Sequence, residues 1–131
     1  MAQHILLIDD DAHLRTMVRH MLELSGYEVD EAADGDEGLR HCREATPALI
    51  ITDLFMPGRE GLETIIALRH EAQGVPVIAI SGGGAHGTFD QLQTAGKLGA
   101  VATLRKPFLR VALLDAVHEA LTDADIARTA T

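Results

Sequence analysis

Four short apolar runs, each closing on a polar residue, and one alternating run are interleaved with segments of helical period, and this pattern governs what the chain can fold into. HILLID (4–9) and ALIITD (48–53) end in acid, VPVIAIS (75–81) ends in a hydroxyl, and GAVATLR (99–105) leads into a lysine. YEVDEA (27–32) alternates and reads as a more exposed strand. Runs this short and this apolar suit strands covered on both faces, the habit of a parallel sheet. Between them, Leu14, Met17, Val18, Met21 and Leu22 recur at helical spacing before the stop at Ser25-Gly26. Asp34 and Glu37 form a capping-box pair for a helix to about Ala45, and Leu62, Ile65, Ile66 and Arg69 mark a third that stops near Gly74. Thr88 and Gln91 form a second capping pair for a short helix over 89–97, and Leu109, Leu113, Leu114, Val117 and Leu121 mark the last helix. The expectation is an α/β fold with helices on both faces of a parallel sheet. Residues 1–122 make the domain, and 123–131 form an aperiodic tail expected to fray.

A chain of 131 residues suffices for one well-buried domain and not for two. Its net charge of −9, with 11 scattered Lys and Arg, argues against a nucleic-acid partner and against anionic membranes. The single cysteine, Cys42, has no internal disulfide partner and sits at helical spacing from Leu39, as a small buried residue would. No apolar run is long enough to span a membrane, and the first residues lack the basic region of a signal peptide, so a cytoplasmic location is expected.

In parallel sheets ligands gather at the carboxyl ends of the strands. Asp9 and Asp10, Asp53, Ser81, and Lys106-Pro107 all fall at such ends, although they span nearly the whole chain. Each alone has an ordinary explanation: Asp10 or Asp11 as a helix cap, Asp53 as a solvated strand end, Ser81 in a turn, Lys106 as a surface lysine. Together they make one edge with clustered carboxylates, whose mutual repulsion calls for a cation. A hard divalent ion suits carboxylate oxygens, and a lysine and a hydroxyl beside it suit phosphoryl oxygens. The chemistry implied is phosphoryl transfer to an aspartate.

ILLIDDD, IITDLFMPGREG, VIAIS and LRKPF resemble the receiver domain of two-component response regulators over about residues 4 to 122. The resemblance implies a doubly wound, flavodoxin-like sheet of order 2-1-3-4-5 with five helices. It makes Asp53 the phosphoacceptor, fed by a phosphohistidine on a histidine kinase or histidine phosphotransfer protein, and the chain a signalling phosphoacceptor rather than an enzyme. Asp9, Asp10, Asp53 and the Phe55 carbonyl would hold Mg²⁺ (or Mn²⁺), with Asp9 acting partly through water. Lys106 and Ser81 would meet phosphoryl oxygens, as would the backbone at Leu54 and Gly82, and a cis peptide is implied before Pro107. Ser81 and Thr103 would be the switch positions, and residues 88–121 the region facing an unknown downstream protein.

The chain departs from that family in three places. Thr103 stands where an aromatic usually swings, the stretch from Ser81 to Gly99 is longer than usual, and Phe55 and Gly83 replace polar residues that help orient water. A long-lived phosphoryl-aspartate is therefore expected, which a comparison of lifetimes with Phe55→Asn tests. The extra length coincides with GGGAHG (82–87), a G-x-G-x-x-G match that would suit a nucleotide-dependent oxidoreductase. That reading needs an acid about 20 residues on, where LRKPF has none. A Mg²⁺ phosphohydrolase would need a lid insertion after IDDDAH, and a partner-binding pseudo-receiver would not need the full phosphotransfer set. The glycines read better as a hinge in the loop after Ser81. The seven histidines show no metal-ligand spacing.

Overall fold

The computed structural model describes residues 3–54, 61–81 and 94–129. Its strands are β1 (His4–Ile8), β2 (Glu28–Ala32), β3 (Leu49–Asp53), β4 (Val77–Ser81) and β5 (Ala102–Arg105). Helices α1 (Ala12–Leu24), α2 (Gly35–Glu44) and α3 (Gly61–Glu71) precede a helical turn α4 at residues 94–97, and α5 runs over Arg110–Thr129. The sheet has the order β2-β1-β3-β4-β5, with each neighbouring pair parallel. The parallel sheet is the one expected from the alternation, and its strand order is the one the resemblance implied.

Successive strand residues point to opposite faces, so each run feeds two cores. Ile5, Leu7, Ile51, Ile78 and Ile80 meet Val18 and Leu22 of α1 and Leu113 and Val117 of α5. Leu6, Ile8, Ile50 and Ala79 meet Leu39 and Cys42 of α2 and Ile65 and Leu68 of α3. The central strands β3 and β4 are buried throughout, whereas the edge strands β2 and β5 are partly exposed. Gly38 lets α2 sit against the sheet, because a Cβ there would collide with the side chain of Ile8.

Helix starts follow their caps. Asp11 Oδ1 accepts from the backbone N–H groups of His13 and Leu14 at 3.0 and 3.2 Å. Asp34 Oδ1 accepts from Glu37 N at 2.8 Å, and the Glu37 carboxylate returns to accept from Ala33 N at 3.1 Å. Gly26, at φ +94°, turns the chain from α1 into β2. The strand leading into Lys106 begins at Ala102, later than the expected 99, because Gly99 at φ +111° still belongs to a turn. The tail read as aperiodic is corrected: α5 continues to Thr129. Past Leu121 the helix is mostly exposed, so its last turns carry no apolar period. The second capping pair, Thr88 and Gln91, lies outside the described residues.

Candidate functional site

Parallel pairing brings the strand ends to one edge. Ile8 pairs with Thr52, Asp53 with Ile80, and Ser81 with Arg105, so Asp9, Asp53, Ser81 and Lys106 stand side by side. The backbone ladder runs on past the last rungs: Asp9 N donates to Ala32 O at 3.1 Å and Lys106 N to Ser81 O at 2.8 Å. The Lys106–Pro107 peptide is cis, as the resemblance implied.

Lys106 Nζ donates to Asp9 Oδ2 and to Asp53 Oδ2, each at 3.1 Å. Both carboxylates are buried, with Asp9 1% and Asp53 3% exposed. Burial raises the Asp9 pKa to about 6; the Asp11 N–H opposes this, Asp53 adds to it, and Lys106 lowers it again. For Lys106, burial disfavours the ammonium, but the attraction of Asp53 and Asp9 outweighs it and the pKa is raised. The site is thus a carboxylate pair neutralised in part by one lysine.

Because Asp11 caps α1, the acid pair before it is not needed for capping. Asp10 is exposed, yet one carboxylate oxygen each from Asp9, Asp10 and Asp53 lie within 4.8 Å of one another. Oxygen donors from three carboxylates, two of them buried and one facing solvent, fit a hard divalent cation that keeps part of its water. Among the described residues this is the one group of acids, histidines and cysteines so arranged. Beside it, the buried Ser81 Oγ has no hydrogen-bond partner among the described residues. A hydroxyl that stays buried without a partner is costly, and this one stands at the edge that carries the carboxylates.

One expected contact is corrected. Leu54 N donates to Ile80 O at 2.8 Å as the next rung of the β3–β4 ladder, so that N–H is not available to a phosphoryl oxygen. Thr103, opposite Ala79 on β5, is exposed. Phe55, Gly82, Gly83 and the GGGAHG stretch lie outside the described residues.

Residues 5–118 match the response regulator receiver domain family. The chain belongs to that family. It is 31% identical to the chemotaxis protein CheY of Halobacterium salinarum over 93% of this chain and 99% of the relative. It is also 39% identical to the transcriptional regulatory protein DctD of Pseudomonas aeruginosa, covering 89% of this chain and 25% of that regulator. The chain therefore spans about a quarter of the one relative and nearly all of the other. The crystal structure of a receiver domain protein from Clostridium thermocellum superposes with a TM-score of 0.88 at 31% identity, covering 97% of this chain and 99% of that one. Receiver domains are signalling phosphoacceptors that work between histidine kinases and downstream effectors. With a transcriptional regulator among the relatives, the argument against nucleic acid extends only to this receiver's own acidic surface. Among the described residues no helix is long and apolar enough to cross a membrane.

The receiver also has a contact that no motif announced. Arg15 Nη1 donates to the backbone carbonyl of Asp9 at 2.6 Å, while its Nε donates to Glu31 Oε1 at 3.0 Å. Glu31 lies 16 residues further along the chain, too far for any local pattern to link the two.

Proposed function

We propose that this receiver takes a phosphoryl group onto Asp53 from a phosphohistidine of a partner histidine kinase or phosphotransfer protein. A carboxylate oxygen of Asp53 attacks phosphorus, an O–P bond forms as the N–P bond breaks, and the leaving imidazole takes up a proton. The observation that carries this reading is the Lys106 ammonium held on both Asp53 and Asp9 beside the unpartnered Ser81 Oγ.

Asp9, Asp10 and Asp53 would hold Mg²⁺ (or Mn²⁺), with the Phe55 carbonyl as a further ligand. When bound, the ion supplies positive charge that offsets the crowded carboxylates and the incoming phosphoryl oxygens. Lys106, already within reach of Asp53, would pass from carboxylate to phosphoryl oxygen. The Ser81 hydroxyl would donate to a second phosphoryl oxygen, and the Gly82 N–H to a third. Drawing Ser81 toward that group would pull the segment after β4. With Thr103 offering no aromatic to swing, residues 82–88 would then carry the change to α4, β5 and α5 and so to a downstream protein.

Incubation with Mg²⁺ and acetyl phosphate, read by intact mass, tests this. A phosphoryl adduct in the wild type that is lost in Asp53→Asn is expected. No adduct with acetyl phosphate or with a phosphorylated kinase would instead make this a pseudo-receiver that binds partners unmodified.

A further inference from the structure

The peptide group joining Asp9 to Asp10 is held from outside the acidic cluster. Every polar atom of Asp9 is engaged: N with Ala32 O, Oδ1 with Asp11 N at 2.9 Å, Oδ2 with Lys106, and the carbonyl with Arg15 Nη1 at 2.6 Å. The first three hold the backbone end of β1 and the Asp9 carboxylate. Among the described residues, only the Arg15 bond grips the Asp9–Asp10 peptide itself, and with it the direction in which Asp10 leaves the chain. Asp10 is exposed, so packing does little to fix it.

Arg15 does not act alone. Glu31 on β2 accepts from Arg15 Nε through one oxygen and from Arg19 Nη1 through the other at 2.6 Å, and Arg19 also reaches Glu23 at 3.2 Å. The bonds from Arg19 and then from Arg15 hold the Glu31 carboxyl below the usual carboxylate range, against the opposing effect of burial. Both side chains of the Arg15–Glu31 pair are largely sheltered from solvent. A planar guanidinium can hold a carboxylate and a carbonyl at once, which an ammonium on a flexible stem cannot do equally well. The result is a strut from β2 through α1 to the peptide between the two acids.

We infer that Arg15, clamped by Glu31, is a positioning residue that presets the Asp9–Asp10 pair for a divalent cation. The inference rests on the reading of that cluster as a Mg²⁺ site. Partners lying behind the ligands of a metal typically contribute about tenfold or more to its affinity by fixing ligand direction. The sign distinguishes this role from simple electrostatics. Arg15 is a cation beside a cation site, so by charge alone its removal would tighten Mg²⁺ binding. Positioning requires the reverse.

The test is calorimetric titration of the folded, unphosphorylated chain with Mg²⁺ alone, for wild type, Arg15→Gln, Arg15→Lys and Glu31→Gln. Arg43→Gln, which removes a cation from the exposed Arg43–Glu71 pair, serves as the charge control. Arg15→Gln is expected to bind Mg²⁺ about tenfold more weakly. Arg15→Lys, at unchanged charge, should also bind more weakly than wild type, and the control should not. In the metal-free protein the amide resonances of Asp10 and Asp11 should shift in Arg15→Lys. Unchanged or tighter binding by Arg15→Gln, or unchanged binding and resonances in Arg15→Lys should the Gln variant not fold, would overturn the inference alone. A wild type that binds no Mg²⁺ would overturn both the inference and the function it rests on.

Discussion

Lys106 Nζ stands 3.1 Å from Asp53 Oδ2, across 53 residues of sequence, and it stands equally close to Asp9 Oδ2. One ammonium thus serves two buried carboxylates. Lys106→Met leaves both without their cation, and breaking a buried pair in this way costs about 3 kcal/mol or more. Urea unfolding of the metal-free protein at pH 7.5 should show that loss. The deficit should shrink as pH falls, because protonation of Asp9 removes one of the two uncompensated charges.

Asp9 itself works against stability at neutral pH. Its folded pKa of about 6 lies above the ordinary value of 3.8, so the folded state holds the proton more tightly than the unfolded one. The stabilisation linked to that proton is full below pH 3.8 and is lost as pH rises through 6. Asp9→Asn keeps an oxygen for the Asp11 N–H and removes the charge. The metal-free variant should be more stable than wild type at pH 7.5, by at most about 3 kcal/mol, and should lose that advantage at pH 4. A thermal melt at each pH reads the difference. Mg²⁺ affinity of the wild type should fall as pH drops through 6, because the cation competes with that proton.

Ser81 should separate stability from function. Its buried Oγ has no partner among the described residues, so Ser81→Ala removes a desolvated hydroxyl rather than a hydrogen bond. The variant is expected to match or exceed wild-type stability, by up to about 1 kcal/mol, in chemical unfolding of the unphosphorylated chain. The same variant should retain beryllofluoride less well than wild type, measured by fluorine NMR. Equal retention would remove Ser81 from the phosphoryl contacts.

Gly38 tests the packing beneath the site. A methyl there meets the terminal methyl of Ile8, a fully buried side chain. Gly38→Ala should destabilise by about 1–3 kcal/mol, outweighing the gain of up to about 1 kcal/mol in helix propensity. Ile8→Val removes the terminal methyl and should recover part of the loss in the double variant. Guanidinium titrations of the two single variants and the double read the coupling.

The edge that carries the site was legible because strands of one polarity bring their terminal residues together, and each of those residues follows an apolar run. Asp9, Asp53, Ser81 and Lys106 needed only that reasoning. What escaped had no periodic or local mark. The last turns of α5 bury little, so no apolar spacing announces Asp123 to Thr129, although no Gly or Pro interrupts them either. The Leu54 contact came with the family resemblance, which does not tell where the ladder between β3 and β4 stops. Arg15 and Glu31 are ordinary charges on a helix and an edge strand, and only the pairing of β1 with β2 and the packing of α1 beside them make them neighbours of Asp9.

The two-sided burial of β1 has a consequence for folding fidelity. Ile5 and Leu7 face one core and Leu6 and Ile8 the other, so a slip by one residue would exchange apolar side chains of nearly equal size. Oiliness alone therefore does not choose between the two alignments. Asp9 does: a slip toward the sheet interior would drive its carboxylate into the place of Ile8, away from Lys106 and the Asp11 N–H, at a cost of several kcal/mol. A slip the other way would pull His4, now paired with Glu28 at 2.7 Å on the surface, into the core. The acid paired with Lys106 is also the stop that tells the first strand where to end.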